Sequence, residues 1–407
     1  MSDSNRAQKP WLNRTVLALS ATSLLSDISH EMGTAVLPMF LKTLAGGAAP
    51  GALGIIEGVA DLINSLGKLW GGSIGDRLPR KKGLTGGGYL LTTLGIGSYV
   101  FAVTWWQVLI GRAVAWFGRG YRGPLRDALM ADAADPGDYG KAFGLERAGD
   151  YLGAVIGPLV SAYLLWLMVP LRHILGLVVI PGTLAAVCVW VFVQEVPHVA
   201  KEARRRMFTR MREMPAPFKR YLLAVGLFSL GDFSNTLLIL WAANSSWVEG
   251  AQSHNLVPIL LYAGYNLVSA IVTYTSGHLS DIYGRRRLLV LAYVSAVVAA
   301  FTVASGSTSL GVMIAVFALN GVAMGNKDTV EKAYAADFLG SHERSLGFGT
   351  LALVTGVGKM IASAVVGGLW SLVGVTAAFL TAGALSTVGV VLLVVLTRPK
   401  TIQQLEG

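Results

Sequence analysis

A chain of 407 residues that is 53% hydrophobic and only 14% charged is too apolar for an ordinary soluble globule, in which about a quarter of residues are charged. Its net charge of +10 would suit nucleic acid only if the basic residues clustered on a polar domain, and their positions exclude that. The single cysteine, Cys188, lies in an apolar run and reads as a packing residue; one thiol excludes an internal disulfide and a cysteine-based metal cluster.

The N-terminus is polar from Met1 to Lys9, and the first apolar run extends from near Val16 to about Leu41. That run is too long for a signal-peptide core and has no small-residue cleavage site, so it reads as a retained first span. A bilayer crossing takes roughly 20 mainly apolar residues. On that measure the sequence predicts twelve spans: 14–41, 51–75, 84–103, 105–131, 140–168, 172–194, 220–246, 254–279, 287–306, 308–336, 345–371 and 375–397. The expected fold is an all-α membrane protein of twelve transmembrane helices. It divides into an N-terminal six-helix bundle (1–194), a basic linker (195–219) and a C-terminal six-helix bundle (220–407).

Lysine and arginine in the loops set the orientation. With the N-terminus inside, 22 of the 33 fall in inner segments, including Arg77, Arg80, Lys81, Lys82, the Arg204-Arg205-Arg206 run, and Arg285 to Arg287. The outer loops hold only Lys42 and Arg172, and the other nine lie within spans. Both termini are therefore expected in the cytoplasm and the chain in a bacterial inner membrane. The positive charge borders the inner leaflet, which accounts for the high pI and leaves no role for nucleic acid. The linker's Ala-Lys-Glu-Ala-Arg-Arg-Arg stretch reads as a helix docked on the membrane surface.

The two halves align without a gap at an offset of 205 residues. Asp27 and Ser29 match Asp232 and Ser234; Gly72, Asp76 and Arg80 match Gly277, Asp281 and Arg285; Gly120 matches Gly325; Asp132 matches Asp337; Gly153 matches Gly358. Repeated halves are how many transporters are built, with the site between them.

Gly72-Ser-Ile-Gly-Asp76-Arg77-Leu-Pro-Arg80-Lys81 resembles the loop 2–3 signature of the major facilitator superfamily. Gly277-His-Leu-Ser-Asp281-Ile-Tyr-Gly-Arg285-Arg286 is its degenerate copy in loop 8–9. Pro79 replaces the usual glycine in the first copy, and Ile282 the arginine in the second. The resemblance covers the whole chain. It implies a gate: the motif glycine lets spans two and eleven approach, Asp76 meets the start of span eleven, and Arg77 pairs with Asp132. Arg112 resembles the span-four arginine of the family's proton-linked motif. Gly153-Ala-Val-Ile-Gly157-Pro158 is similar to the Gly-x-x-x-Gly-Pro element of its proton antiporters, without the trailing glycine pair; close helix packing explains it equally well.

Ionisable residues within spans are costly and usually face the bundle interior. Ser23, Asp27, His30, Glu31 and Thr34 share one helical face of span one; Glu57, Asp61, Asn64 and Lys68 share one of span two. Arg112, Arg119, Arg122 and Arg126 line one side of span four, with Asp127 beside them, and span five adds Glu146, Arg147 and Asp150. The second half contributes Asp232, Lys327, Asp328, Glu331, Lys332 and Lys359; at the repeat offset Arg126 and Glu331 swap sign, which allows a pair across the halves. The bland reading is that the charges near inner span ends form only a cytoplasmic gate network. The deeper ones are the candidates for function.

The expected function is proton-coupled, alternating-access transport of a small anionic or zwitterionic solute, such as an organic acid, organophosphate or chelate, with export favoured. Asp27, Glu31, Glu57 and His30 are the proton-coupling candidates. Arg119, Arg122 and Lys327 are those for substrate charge, with Trp116, Asn235, Trp241 and Tyr262 lining the cavity. No phosphate-binding loop is present, so the proton gradient is the expected energy source, with no cofactor and no resident metal. A monomer in the bilayer is expected. A multidrug–proton antiporter and a divalent-metal exporter, the latter using Asp27, His30 and Glu31, are the alternatives.

Overall fold

The computed structural model describes residues 11–75, 77–195, 214–245, 253–340 and 344–397. Among them every regular element is helical. In chain order they are α1 (Arg14–Ala45), α2 (Ala49–Gly75), α3 (Lys82–Gly97), α4 (Trp105–Ala133), α5 (Tyr139–Trp166), α6 (Leu171–Leu177), α7 (Val179–Phe192), α8 (Ala216–Ser229), α9 (Asn235–Ala243), α10 (Ser253–Tyr283), α11 (Arg285–Ala304), α12 (Leu310–Ala336), α13 (Arg344–Leu372) and α14 (Val375–Leu396). They make the twelve expected spans, with spans six and seven each built from two segments. Eight helical stretches, the first a 62-residue run through α1 and α2, are long and apolar enough to cross a bilayer. Large side chains such as Tyr163, Val191, Ile271 and Leu291 are exposed along these helices, as a lipid solvent favours.

Local chemistry fixes the ends. Asn13 caps α1: its Oδ1 accepts from the Thr15 and Val16 amides at 3.0 and 3.1 Å. Gly46, at φ +54, ends that helix in a conformation that L side chains rarely adopt. The Gln107 carboxamide accepts from the amides of Val103 and Thr104 at the start of α4. Pro181 lacks an amide hydrogen for the Leu177 carbonyl, which accounts for the joint between α6 and α7.

Span seven departs from the continuous helix expected. It unwinds between α8 and α9 over residues 230–234, which include Asp232. A Cβ on Gly231 would lie 2.2 Å from the Ala382 carbonyl of α14, so only glycine lets the chain pass there. Ser234 then caps α9, and its own amide donates to Ser363 Oγ at 3.0 Å. Backbone that is not helical at membrane depth is tolerated where it is buried in protein or lines a cavity.

The chain forms two compact units. The first comprises residues 1–49, 59–204 and 248–266, and the second 50–58, 205–247 and 267–407. The first has an apolar core of Val16, Leu19, Tyr89, Leu129, Met130, Ala185 and Val189. The second is centred on Phe218, Tyr221, Phe228, Leu289, Tyr293 and Val330, with Phe228 stacked flat on Tyr293 at 3.5 Å.

The repeat seen in sequence recurs in the packing. In the first unit a Cβ on Gly120 would meet the Asn64 carbonyl at 2.5 Å; in the second, one on Gly325 would meet the Ser269 carbonyl at 2.6 Å. Likewise Gly153 rests on Leu24 and Gly358 on Ser229. Both members of each pair are displaced by 205 residues, so the halves share contacts as well as letters.

The gate motif is partly corrected. A Cβ on Gly72 or Gly277 would meet nothing within 4 Å, so neither is a close-contact glycine. The tight approach of α2 to α13 comes from Gly54 on Ser363 and Gly58 on Met360, near the other end of α2. Asp132 has Lys81 at 3.8 Å, in the place where Arg77 was expected; Arg77 and Arg80 are solvent-exposed. The Lys81 and Lys82 amides that open α3 donate to the Glu195 carboxylate. In the second unit Arg285 does pair with Asp337, and Asp281 is exposed. Asp76 and most of the basic linker lie outside the described residues.

Candidate functional site

The span-one stripe faces protein as its spacing predicts. Ser23, Asp27, His30, Glu31 and Thr34 are all buried, at 8% exposure or less. The α5 ridge Gly149-x-x-x-Gly153-x-x-x-Gly157 packs behind the Asp27 and Glu31 positions. A Cβ on Gly153 would lie 3.0 Å from the Asp27 Cβ, and one on Gly157 2.8 Å from the Glu31 Cβ. The Gly153-Gly157-Pro158 element is thus a packing device that seats the backbone of α5 directly behind the two carboxyl-bearing positions.

Opposite them stand the α4 arginines, each in its own setting. Arg119 faces Asp27, with Nη2 3.6 Å from Oδ1. Its Nη1 is buried without a hydrogen-bond partner. Arg112 donates to Thr34 Oγ1 at 3.3 Å and lies 3.4 Å above the Trp116 ring, a cation–π contact. Arg122 donates to Thr92 Oγ1 and Ser26 Oγ, both at 2.8 Å, and covers the Tyr89 ring at 3.9 Å. Arg126 pairs with Glu146 at 2.5 Å and with Asp127 at 2.9 Å. Ser23 Oγ donates to the same Glu146 oxygen at 2.6 Å. A charge taken out of water is tolerable only when paired and hydrogen-bonded, and these contacts supply that.

Glu31 is held differently. Tyr262 of α10 donates its hydroxyl to Oε2 at 2.7 Å. His30 Nε2 is 3.6 Å from Oε1, and its ring meets the Trp116 edge at 4.7 Å between centroids. His30 Nδ1 is buried without a hydrogen-bond partner. The first unit therefore gathers Asp27, His30, Glu31, Arg112, Trp116, Arg119 and Tyr262 into one polar cluster. The cluster thus holds two buried carboxyl groups, one beside the Arg119 guanidinium and one accepting from the Tyr262 hydroxyl.

The other candidates have settings of their own. Arg122 and Arg126 belong to the same helix, but their donors are engaged by Ser26, Thr92, Glu146 and Asp127. Arg122, read from sequence as a substrate cation, is thus engaged by two hydroxyls and an aromatic ring. Glu57 is buried in the stretch of α2 that belongs to the second unit. Trp241 is buried within α9. Lys327, also read as a substrate cation, is ion-paired to Asp232, with Lys359 at 3.7 Å from the same oxygen. Asn235 lines the small pocket around them.

Sequence reading left Glu146, Ser23, Ser26, Thr92 and Lys359 without roles. Ser23 was on the predicted stripe of α1, and Ser26, one turn before His30, was recoverable from the same helix. Thr92 and Lys359 come from other helices, and no spacing rule within one helix brings them in. Among the described residues no group of three or more His, Cys, Asp or Glu side chains is placed to hold a metal ion.

The sequence profile described as Major Facilitator Superfamily matches residues 19–248 and again 222–407. An uncharacterized MFS-type transporter of Methanocaldococcus jannaschii is 27% identical over 370 residues, covering 89% of each chain. A probable 4-methylmuconolactone transporter of Cupriavidus pinatubonensis is 27% identical over 305 residues, covering 72% of this chain and 68% of its own. Among solved structures, that of the nucleoside transporter NupG superposes with a TM-score of 0.77 at 12% identity, over 94% of this chain and all of that one.

Proposed function

The chain belongs to the Major Facilitator Superfamily, and on that premise we propose that it is a proton-coupled transporter of a small organic anion. The observation that carries this reading is the first-unit cluster. Asp27 faces Arg119 at 3.6 Å, and Glu31 accepts from Tyr262 at 2.7 Å, and the helices that carry Asp27, Glu31 and Tyr262 are long and apolar enough to cross a bilayer. A bilayer makes such groups too costly to keep without use.

In this reading Arg119 receives the solute's negative charge through its unpartnered Nη1. As it turns from Asp27 to the solute, Asp27 loses its counter-charge and takes a proton. Glu31, held by Tyr262, is the second carrier, and His30 links it to Trp116. Alternating access then moves solute and proton in coupled steps. The relative that carries 4-methylmuconolactone in its name supports an organic acid as the solute class. The bias of basic loop residues supports both termini in the cytoplasm and a site in the bacterial inner membrane. The antiporter-like element of α5 favours export, with the protein working as a monomer.

Counterflow tests the coupling. In proteoliposomes, Asp27→Asn should retain exchange of labelled 4-methylmuconolactone for unlabelled solute, yet lose accumulation driven by an imposed pH gradient. Arg119→Ala should lose both. Gradient-driven accumulation that survives Asp27→Asn and Glu31→Gln together would remove these carboxyl groups from the proton path.

A further inference from the structure

A groove in the first unit shares no residue with the cluster of Asp27 and Arg119. Its volume is about 490 Å³, within the range of ligand clefts. Val100, Val169, Pro170 and Leu177 form its apolar wall, and Arg172 and His173 are its polar members. They come from the α3–α4 junction, the α5–α6 junction and α6 itself. Arg172 is built into this wall: Nη1 donates to the Val100 carbonyl at 2.7 Å, Nη2 to the Ala102 carbonyl at 2.9 Å, and the guanidinium lies 5.4 Å from the Phe40 ring centroid. Carbonyls fix the group without neutralising it, and its remaining N–H groups can still donate.

Charge and depth together say what fits. The segments that make this end of the unit, 40–49, 98–107 and 163–177, contain Lys42 and Arg172 and no Asp or Glu. The field here is positive, with no acid in these segments to offset it. The surroundings are those of a membrane interface. Phe101, next to Val100, is 80% exposed, and Met168, next to Val169, 73%. Tyr163 and Trp166 stack on each other and are exposed, as is Trp106. Exposed Trp and Tyr at the end of a span mark the headgroup level of a bilayer. A hydrophilic solute gains nothing from an apolar wall set among such residues, whereas an amphiphile with an anionic head matches both the wall and the cation.

We propose that the groove holds one anionic phospholipid, with its phosphate on Arg172 and His173 and part of an acyl chain along Val100, Val169 and Leu177. The lipid bridges the α3–α4 junction and α6, which Arg172 already ties together, so its binding stabilises the first unit.

Full-length protein, delipidated in detergent, would be titrated with phosphatidylglycerol and with phosphatidylcholine. Native mass spectrometry counts the bound lipid, and the thermal midpoint reports its effect. The basic inner loops attract phosphatidylglycerol as well, so the readout is the difference between variants. Wild type should hold one phosphatidylglycerol that Arg172→Gln binds about fivefold more weakly, the effect of removing one cation from an anionic lipid's site. Phosphatidylcholine binding should be the same in both. Val169→Trp fills the groove without touching the cation and should lose the same lipid, together with the rise in thermal midpoint that it brings. Arg172→Gln also removes the bonds to Val100 and Ala102, so chromatographic monodispersity checks its fold; if it fails, Val169→Trp carries the test. Phosphatidylglycerol binding identical in wild type, Arg172→Gln and Val169→Trp would overturn the lipid site. Displacement of that lipid by inorganic phosphate would also overturn it, and would make the groove a site for a free anion.

Discussion

At the scale of single residues, the membrane-embedded charges sort by the company they keep. Arg126 and Glu146 are 2.5 Å apart, and Glu146 also accepts from Ser23, so this pair is a structural tie. Removing one partner leaves a buried charge, at a cost of about 3–5 kcal/mol. Arg126→Ala should therefore lower the thermal midpoint in detergent sharply, and Arg126→Ala with Glu146→Gln should recover much of the loss. An additive double variant would mean that the two do not act as a pair. Arg119 differs, because it combines a 3.6 Å contact to Asp27 with a buried, unpartnered Nη1. Arg119→Gln should cost far less stability than Arg126→Ala and far more transport.

Much of this was legible in the sequence. The i, i+4, i+7, i+8, i+11 spacing of Ser23 to Thr34 placed the whole stripe on a buried face, because helical geometry alone decides it. The partners were not legible. Which arginine meets which acid depends on rotamers and on residues from other helices, such as Thr92 and Tyr262. Arg122 and Lys327 looked like free cations on a helical wheel because their partners lie far away in sequence.

At the scale of elements, glycines set the helix contacts, and they are not interchangeable. Gly71 and Gly72 are neighbours, yet a Cβ on Gly71 would lie 2.3 Å from the Tyr121 carbonyl and one on Gly72 would meet nothing within 4 Å. Gly71→Ala should reduce yield and thermal stability. Gly72→Ala should be neutral, or stabilising by up to about 1 kcal/mol from helix propensity. The reverse result would restore Gly72 as the contact glycine of the motif. Sequence motifs mark where a glycine recurs, whereas the backbone that approaches it is known only once the helices are packed. For the same reason the break in span seven was not drawn from the sequence, although Gly231, Asp232 and Ser234 stand in it: the approach of α14 to Gly231 is known only from the packing.

At the scale of the whole molecule, twelve spans and a twofold repeat were readable from composition, loop charge and one fixed offset. The shared contacts of Gly120 with Asn64 and Gly325 with Ser269 give that repeat a physical basis. The halves nonetheless diverge in their charges. In the first unit an acid on the continuous α1 faces an arginine; in the second the equivalent acid, Asp232, lies on a broken span between two lysines.

The most direct measurement is of proton movement. Purified protein in liposomes loaded with a pH-sensitive dye would be given 4-methylmuconolactone or benzoate, and then their neutral methyl esters. The account predicts a change of internal pH with the carboxylates, none with the esters, and none with Asp27→Asn, with the sign of the change giving the direction of coupling. Proton movement with lipophilic cations and none with carboxylates would contradict it, and would reduce the arginines of α4 to structural ties.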